Sequence, residues 1–436
     1  MTLRSDPRRW RWVLWTILAG GFLLVNFHRV SSSVLADQLT RAFDTSAAEL
    51  GLLHASFFYV YAALQLPAGV LVDRAGVRRV AALGLVVMSA GVFAFATRGT
   101  LVGGFLARAS IGLGGSVLYI ATLRFCANWF RADEFATMTG WTIAAAGLGG
   151  VFATTPLALA AGALGWRTAL LIAGAVGLCI SVVVYALVRD RPARAGFDAP
   201  DGVTPGTEAV SAATVLANTK RVLRERETWL LGGMLFFLFG VNFTVLGLWG
   251  VPYVVHVYDV SVARASTYVL LGNVGLLLGP PVFGALSDRL GRRTEVILAS
   301  SVGFTLAYGA IFLAVAPPLP VLGALLFLGT FVNGGTALAY TVAKERHGAT
   351  ASGTVTGTVN SLGYFGAATF PALMGVALDA YWTGETINGA RVYSVTGYRV
   401  AFGLAALAGV LAVGCAAWIH LRMGRPARGG VAAADD

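Results

Sequence analysis

Long apolar segments recur along nearly the whole chain and constrain its fold more than any other feature. A helix needs about 20 mostly apolar residues to cross the hydrocarbon core of a bilayer. Of the 436 residues, 57% are hydrophobic and only 12% are charged, whereas soluble domains carry about 25% charged residues. Because so few charges cannot cover a water-soluble protein of this length, the sequence predicts an all-α integral membrane protein. We predict twelve transmembrane helices, at residues 12–36, 48–71, 79–97, 101–128, 135–161, 166–188, 229–256, 264–287, 295–316, 319–343, 351–378 and 398–421.

The predicted spans form two groups of six. The stretch 189–228 is the only long polar segment between spans, which indicates a cytoplasmic linker with a short amphipathic helix near its end. We therefore expect a six-helix bundle at 1–188 and a second bundle at 229–436 that ends in a short cytoplasmic tail. GVLVDRAGVRR (Gly69–Arg79) follows span two and GALSDRLGRR (Gly284–Arg293) follows span eight, so the two halves repeat. Parallel repeats of six spans are a known transporter architecture.

The basic residues predict the orientation of the chain, because cytoplasmic loops of membrane proteins are enriched in Lys and Arg. With the N-terminus inside, 23 basic residues fall on the cytoplasmic side and 6 on the other side. Both termini are therefore predicted to be cytoplasmic, in a multi-pass protein of the cell membrane, with a bacterial inner membrane as the expected location. The first apolar segment is too long for the core of a signal peptide, so we interpret it as a retained first span. The six residues on the other side are Arg41, Arg98, Arg167, Arg264, Arg391 and Arg399.

Several classes of function are disfavoured by what the sequence holds. Cys126, Cys179 and Cys415 are isolated in apolar segments, so neither a disulfide framework nor a metal site is expected. The net charge of +11 comes from basic residues in the cytoplasmic loops, where the topology explains them, so a nucleic-acid partner is not expected. The GLGG segments at Gly112 and Gly147 lie within spans and precede no Lys-Ser/Thr pair, so they are interpreted as helix packing and not as phosphate loops. No cofactor is expected. The class of function left is a monomeric transporter that moves a solute without ATP.

The two repeated loops resemble the signature loop of the major facilitator superfamily, roughly G-x-L-x-D-R-x-G-R-[RK]. Val77 replaces a usual basic residue in the first copy. The resemblance covers about 12–421 and implies two six-helix bundles that work by alternating access. It also implies a gate at these loops, whereas an ordinary charged cytoplasmic loop is the alternative. The gating residues implied are Gly69, Asp73, Arg74, Gly76, Arg78, Arg79, Gly284, Asp288, Arg289, Gly291, Arg292 and Arg293.

Within that superfamily, the first half is most similar to organic anion symporters, through FHRVSSSV, FFYVYAALQLPAG, RASIGLGG and the pair Trp129-Phe130. His28 and Gly115 stand where those proteins carry acids that serve proton coupling, so their coupling does not carry over. The second half, with TVAKERHG and SGTVTGTVNSLG, resembles bacterial facilitators that import amino acids or nucleosides. Span five lacks the glycine-proline pattern of drug antiporters, which disfavours multidrug export.

Arg29 is the first charged residue inside a span, and charge there is costly and usually functional. Asn26, Arg29, Ser33 and Asp37 fall on one helix face, which we expect to line a wet cavity. A guanidinium there can bind the carboxylate or phosphate of a substrate. The resemblance to organic anion symporters implies the same role for Arg29. The alternative is a structural Arg that bridges helix carbonyls.

Polar side chains elsewhere extend the predicted binding site. Span two carries a stripe of His54, Phe58, Tyr61 and Gln65, for which a packed aromatic face is the alternative. The second half offers Asn242, Tyr253, Tyr340 and Tyr364 beside the residues chosen below, although an Asn in a span can simply bind a neighbouring helix. The substrate-binding residues predicted are Asn26, Arg29, Ser33, Tyr61, Gln65, Trp249, Asn273, Asn333 and Asn360.

Ion coupling has fewer candidates, and a proton or sodium ion is the coupling partner considered. His28 and His54 change charge near neutral pH, and Asp37 lies at a span end, but a lone membrane His is also a common structural residue. Arg108 and Arg124 share span four about 160° apart around the axis, so they cannot serve one site in a straight helix. We assign both to structure and gating, with Arg124 near enough to the cytoplasm to pair with Asp73 or Glu134.

These observations predict a secondary or facilitated transporter for a small polar solute, anionic or zwitterionic. An exporter or drug antiporter is the alternative within the same class. A transporter-shaped membrane sensor is a second alternative, although its usual large soluble extension is missing from the short tails. A membrane enzyme would need a convergent nucleophile, base or metal set within the spans, and the sequence offers none. The substrate, the direction of transport and the coupling ion are not determined by the sequence.

Overall fold

The computed structural model describes residues 6–131, 133–197, 212–345, 349–387 and 390–423. Among these residues, ten helices are long and apolar enough to cross a membrane, and two bent pairs bring the number to twelve. The prediction of twelve spans in two six-helix groups is confirmed. About a third of the predicted linker, residues 198–211, lies outside the described residues, as do Arg4, Arg346, Arg425 and Arg428. The division of the chain at 188 and 229 stays a prediction.

The first six spans contain ten helices, because four of the spans are interrupted. The first, second, fourth and fifth spans are each built from two helices, and the third and sixth from one. The helices in chain order are α1 (Pro7–Val30), α2 (Ser32–Phe43), α3 (Ala47–Ala63), α4 (Gln65–Ala75), α5 (Val77–Thr97), α6 (Leu101–Gly115), α7 (Leu118–Trp129), α8 (Phe135–Phe152), α9 (Thr155–Leu164) and α10 (Trp166–Leu187).

The second six spans follow a short helix, α11, which lies where the sequence predicts one. The seventh span has a π-helical turn at Val245–Trp249, and the tenth has a 3₁₀ turn at Gly334–Ala337. An antiparallel β-hairpin, β1 (Trp382–Ile387) and β2 (Ala390–Tyr393), joins the last two spans and was not predicted. The helices are α11 (Ala212–Val222), α12 (Arg226–Thr244), α13 (Gly250–Tyr258), α14 (Val262–Leu290), α15 (Arg293–Ala314), α16 (Leu319–Asn333), α17 (Leu338–Glu345), α18 (Ala349–Ala380) and α19 (Val395–Met423).

The interruptions have local causes. The first span breaks at Ser31, whose hydroxyl donates to the His28 carbonyl at 3.2 Å and so competes for a helix acceptor. The second span bends by 55° at Leu64, three residues before Pro67. The fifth bends by 41° just before Pro156, which cannot donate a backbone hydrogen bond. Apolar patterning predicts where a span lies, but these breaks depend on single residues.

The two halves pack along the second and eleventh spans. Gly51 of α3 lies against the backbone at Pro371, and Gly375 of α18 lies against the backbone at Ala47, with no room for a Cβ at either glycine. This close approach is the usual function of small residues between membrane helices. We call the end of the bundle that carries β1 and β2 the hairpin side, and the end where α1 begins and α19 ends the terminus side.

Candidate substrate site and gates

Arg29 lies one residue before the end of α1 and is only 4% exposed. Four aromatic ring centroids lie within 5.6 Å of its guanidinium carbon, at 4.7 Å for Tyr61, 5.1 Å for Tyr364, 5.2 Å for Phe243 and 5.6 Å for Phe57. The rings come from the second, seventh and eleventh spans, so both halves contribute. Cation–π attraction stabilises a guanidinium in such a cage. We call these five residues the arginine cage.

The arginine cage leaves most of the guanidinium without a polar partner. Nη1 donates to the Tyr364 hydroxyl at 3.4 Å, while Nε and Nη2 are buried and have no hydrogen-bond partner in the described protein. No carboxylate in that part of the chain pairs with Arg29. A buried charge is costly unless it is paired and hydrogen-bonded, and Arg matches planar anions in a bidentate manner. These two nitrogens, Nε and Nη2, are therefore suited to donate to an anion that enters the cage.

A chain of polar side chains continues from the arginine cage towards the tenth span. The Tyr340 hydroxyl donates to Asn360 Oδ1 at 2.6 Å, and Asn360 Nδ2 donates to Gln65 Oε1 at 3.0 Å. Gln65 begins α4 at the bend of the second span and donates to the Tyr61 carbonyl at 3.3 Å. The structure thus brings Tyr61, Gln65 and Asn360, three of the predicted binding residues, next to Arg29.

A second buried guanidinium, Arg108, lies on the fourth span and is 2% exposed. Its Nη2 lies 3.4 Å from His54 Nδ1, and its Nε has no hydrogen-bond partner among the described residues. No carboxylate there pairs with Arg108. His28 is also buried, with an unpartnered Nε2 atom. Two uncompensated guanidiniums therefore lie in the first half, and the coupling roles considered for His28 and His54 stay predictions.

Asn26, Asn273 and Asn333 lie away from the arginine cage and bond to neighbouring backbone or side chains. Asn26 Nδ2 donates to the Ala146 carbonyl at 2.6 Å, and Asn273 Nδ2 donates to the Val269 carbonyl at 3.3 Å. Asn333 Oδ1 accepts from the Thr336 hydroxyl at 3.1 Å. Only the Asn26 contact joins two helices, which is the alternative that the sequence left open, whereas the contacts of Asn273 and Asn333 stay within their own spans.

Ser33, Asp37 and Trp249 lie on the hairpin side. The Val251 amide donates to Ser33 Oγ at 3.2 Å, and His256 Nε2 lies 3.5 Å from Asp37 Oδ1. Trp249 Nε1 donates to the Pro371 carbonyl at 3.1 Å. The Ser33 and Asp37 contacts join the two halves. The expected wet helix face is therefore buried here, because the second half covers it.

Asp379 strengthens this closure and was not selected from the sequence. Its two carboxylate oxygens accept the amides of Ala47 and Ala48 at 2.9 Å and 2.8 Å, and Arg391 lies 3.4 Å away. A carboxylate at the N-terminus of α3 satisfies amides that have no partner within the helix and complements the helix dipole. An acid just after an apolar span was the only sequence signal for it. The Ser33, Asp37 and Asp379 contacts together form what we call the hairpin-side latch.

The first signature loop is bound within its own half on the terminus side. Arg124 Nη2 lies 2.8 Å from Asp73 Oδ1, which is one of the two pairings considered from the sequence. Gly76 has φ of 84°, a left-handed conformation in which glycine is favoured. The amide of Arg78 donates to Asp190 Oδ1 at 2.9 Å. Asp190 follows the sixth span and was not selected as a site residue.

The second signature loop also has a glycine with positive φ, but its ψ and its partners differ. Gly291 has φ of 65°, and Arg293 pairs with Glu345 at the end of the tenth span. Arg292 contacts Glu295 at 3.2 Å. Within the described chain no ion pair is found for Asp288 or Arg289. The gating roles of both loops stay predictions.

Glu134 provides one further ion pair on the terminus side. Arg11 binds both of its oxygens, at 2.8 Å and 2.7 Å, and the Arg131 amide donates to it at 2.9 Å. Burial alone would raise the pKa of this carboxyl, but the hydrogen bonds from Arg11 and Arg131 outweigh burial and lower the pKa below its ordinary value. The pair therefore joins the start of the first span to the loop after the fourth.

Phe57 and Phe243 are cage residues that the sequence reasoning missed. Nothing distinguishes them from other apolar residues of a span. The internal repeat offered a weak signal, because its offset of 215 places residue 244 opposite Arg29 in the second half. The seventh span was therefore the place to look for a cage wall.

Comparisons with known proteins bear on the family and the fold. The family model described as Major Facilitator Superfamily matches residues 17–371 and again 236–435. The membrane sensor protein UhpC of Escherichia coli is 26% identical over 399 residues, which are 86% of this chain and 88% of that protein. A probable hexose phosphate transport protein of Chlamydia trachomatis is 24% identical over 406 residues, 88% of each.

Among solved structures, a bacterial homolog of the human lysosomal transporter Spinster, in an inward-facing and unoccupied conformation, aligns with a TM-score of 0.75. The alignment covers 94% of this chain and 96% of that one at 19% identity, so it shows the fold alone. The family model covers most of the chain and confirms the prediction made from the signature loops. This multi-pass membrane protein belongs to the major facilitator superfamily.

Proposed function

We propose that the protein is a secondary transporter of a small polar organic anion, which binds at the arginine cage. The observation that carries this proposal is the buried Arg29 guanidinium, with two unpartnered nitrogens and no carboxylate partner among the described residues. Arg108 supports it, because a first half with two uncompensated buried cations favours a negatively charged substrate. The carboxylate or phosphate of the substrate would bind the open edge of Arg29.

The cage and the chain of polar side chains beside it fit a polar body attached to that anion. Tyr364 and Tyr340 present hydroxyls, and Gln65 and Asn360 present amides, which suit the hydroxyl groups of a sugar-like solute. Aromatic walls supply apolar contact around such groups. One relative supports the same class of solute, since it is a probable hexose phosphate transport protein. We propose a phosphorylated or carboxylated sugar-like solute as the first class to test.

We also propose that the terminus side faces the cytoplasm of a bacterial cell, because the basic residues concentrate there. The hairpin-side latch then closes the outer side, and the arginine cage is reached from the cytoplasm. The inward-facing state of the aligned Spinster homolog agrees with this assignment. A reporter fused after residue 436 should be cytoplasmic, and a cysteine placed at the exposed Arg98 should react with an impermeant reagent from outside. Labelling with the opposite sidedness would overturn the orientation.

A ligand sensor is the second candidate function, because a relative that matches most of the chain is named a membrane sensor protein. A sensor would bind its anion at the same cage without moving it across the membrane. The two functions therefore agree on binding and differ on net flux.

Uptake by the purified chain in proteoliposomes tests the proposal and separates the two candidates. Labelled hexose phosphates and hexuronates would be compared with the matching neutral sugars, with and without imposed proton and sodium gradients. Accumulation of an anion but not of its neutral counterpart is expected for the wild type and for Arg98→Ala, an exposed control. Binding without flux would support the sensor, and binding of the neutral sugar alone would contradict the anion site.

A further inference from the structure

A polar cavity of about 330 Å³ lies on the terminus side, outside the arginine cage. It is enclosed by the first signature loop, the end of the fourth span and the segment after the sixth. Six arginines and two aspartates line it, so four positive charges are in excess. The arginines are Arg74, Arg78, Arg79, Arg124, Arg191 and Arg194.

Half of these arginines are already bound to the protein. Arg124 pairs with Asp73 at 2.8 Å and Arg194 with Asp190 at 2.6 Å, while Arg78 Nε donates to the Tyr185 carbonyl at 2.6 Å. The other half, Arg74, Arg79 and Arg191, form no ion pair with any described residue. The cavity therefore keeps three cationic side chains for an anion that the protein itself does not supply.

An apolar groove of about 700 Å³ adjoins this cavity, and Arg74 lines both. The groove lies between α4 and the fourth span, and α11 covers part of it. Leu71, Leu113 and Leu216 line the groove and are 48%, 45% and 57% exposed. From Ala63 to Arg74 it follows the helix for about 16 Å, close to half of the roughly 30 Å hydrocarbon thickness of a bilayer.

We propose that the cavity and the groove together bind one anionic phospholipid. Its phosphate would lie among Arg74, Arg79 and Arg191, and one acyl chain would lie in the groove. A free phosphate would leave the groove unused, and a zwitterionic lipid would not offset the excess positive charge. Basic pockets beside transmembrane helices on the cytoplasmic side suit anionic headgroups. The inference rests on the proposed orientation and not on the identity of the transported solute.

Lipid retention by the purified full-length chain in detergent tests this proposal. Native mass spectrometry would compare phosphatidylglycerol, phosphatidylcholine with the same acyl chains, and the water-soluble glycerophosphoglycerol. One phosphatidylglycerol per chain is expected, with much weaker retention of the other two compounds. Equal retention of phosphatidylcholine would overturn the charge argument. Equally tight binding of glycerophosphoglycerol would overturn the proposal that a lipid binds here. It would indicate a site for water-soluble phosphodiesters instead.

Substitutions locate the site. Each lost arginine is expected to weaken retention about fivefold, so Arg191→Gln should weaken it about fivefold and Arg74→Gln with Arg191→Gln about thirtyfold. Arg289→Gln with Arg292→Gln makes the same charge change in the second signature loop and should change retention little. An equal loss in that control would mean unspecific attraction and would overturn the site.

Two more variants keep the test independent of folding and of the transport proposal. Leu113→Trp fills the exposed groove and changes no charge. The variant should retain less phosphatidylglycerol and should melt at the wild-type temperature. Unchanged retention in a well-folded Leu113→Trp protein would overturn the acyl-chain position. Arg29→Ala removes the proposed substrate contact and should retain the lipid, so failure of the substrate site would leave this site standing.

Discussion

At the scale of single residues, Arg29 poses a problem of charge. Arginine stays protonated at any accessible pH, so its burial cannot be relieved by neutralisation. The surrounding rings offset part of the cost, since a desolvated cation–π contact contributes about 2 kcal/mol. The sequence left open a structural Arg that bridges helix carbonyls, yet the polar partner found for Arg29 is the Tyr364 hydroxyl. A ligand anion accounts better for the two unpartnered nitrogens of the guanidinium.

Substitution of Arg29 separates the two roles. Arg29→Lys keeps the charge but loses the planar fork, so substrate binding should weaken about 10- to 100-fold, the equivalent of one charged hydrogen bond. Arg29→Ala should abolish binding. Affinity measured on purified, folded variants by titration calorimetry checks this, with Arg98→Ala as control. A purely structural Arg would lower the melting temperature in both variants and leave affinity per folded molecule unchanged.

Sequence reasoning identified Arg29, Tyr61 and Tyr364 of the arginine cage and missed Phe57 and Phe243. Arg29, Tyr61 and Gln65 stand out because polar groups are expensive in a span. Periodicity then assigns each to a helix face, but it does not say which element covers that face. From the sequence, Asn273, Asn333 and Asn360 were equally good candidates for substrate binding. Only the packing of the eighth, tenth and eleventh spans shows that Asn360 joins the polar chain beside Arg29. Phe243 required knowledge of that packing as well.

At the scale of elements, the two glycines of the first signature loop have different physical roles. Gly76 adopts a left-handed conformation, and a Cβ there would meet the Asp190 carboxylate at 2.7 Å. A Cβ at Gly69 would meet nothing within 4 Å, and the same holds for its repeat partner Gly284. The turn therefore explains Gly76 but not Gly69. We infer that Gly69 provides room for a neighbouring helix in the other state of the transport cycle.

A matched pair of variants checks this difference. Gly76→Ala should lower the free energy of unfolding by about 1–2 kcal/mol, because a left-handed residue gains a side chain. Gly69→Ala should leave stability unchanged and Gly69→Val should slow transport, since the added bulk opposes closure on the terminus side. Thermal melts and initial uptake rates are the measurements. Equal destabilisation by Gly69→Ala would assign that glycine to folding of the loop.

Asp73 is the charged centre of the same loop, and its pair with Arg124 holds the second and fourth spans together. Both side chains are about a quarter exposed, so the pair should contribute no more than about 1 kcal/mol to stability. Asp73→Asn should therefore cut transport severely while changing the melting temperature little. Asp133→Asn breaks an exposed ion pair on the same side and serves as control. Full transport by Asp73→Asn would remove the gating role.

At the scale of the whole molecule, twelve spans and two halves were predictable because apolar length and an internal repeat encode them directly. The breaks within spans, the β-hairpin and the hairpin-side latch were not predictable in this way. The breaks depend on single residues and the hairpin on pairing between neighbouring strands. The latch depends on contacts between segments far apart in sequence, such as Asp379 with Ala47. The contacts of the latch decide which side of the molecule is closed. The conformational state could therefore not be predicted from the sequence either.

Asp379 gives the sharpest test of how the halves are held, because its carboxylate belongs to one half and its two amide donors to the other. Charged hydrogen bonds contribute about 1.5–3 kcal/mol each. Asp379→Asn removes the charge and keeps one oxygen that can accept from a backbone amide. Its NH₂ group then faces the other backbone N–H of the Ala47 and Ala48 pair, where two donors meet and no hydrogen bond can form. The equilibrium should therefore shift at least about tenfold towards a state open on the hairpin side. Spin labels at the exposed positions Arg98 and Arg264, one in each half, would report a longer distance.

Ser46→Ala is the matched control for that experiment, since Ser46 caps the same end of α3 from within the first half. Loss of this cap should cost about 1 kcal/mol of stability and leave the distance between the labels unchanged. The comparison therefore separates a weaker helix end from a weaker contact between halves. If Asp379→Asn melts at a lower temperature but keeps the wild-type distance, Asp379 only caps α3, and closure of the hairpin side must depend on Asp37 with His256 and on the packing of Gly51 and Gly375.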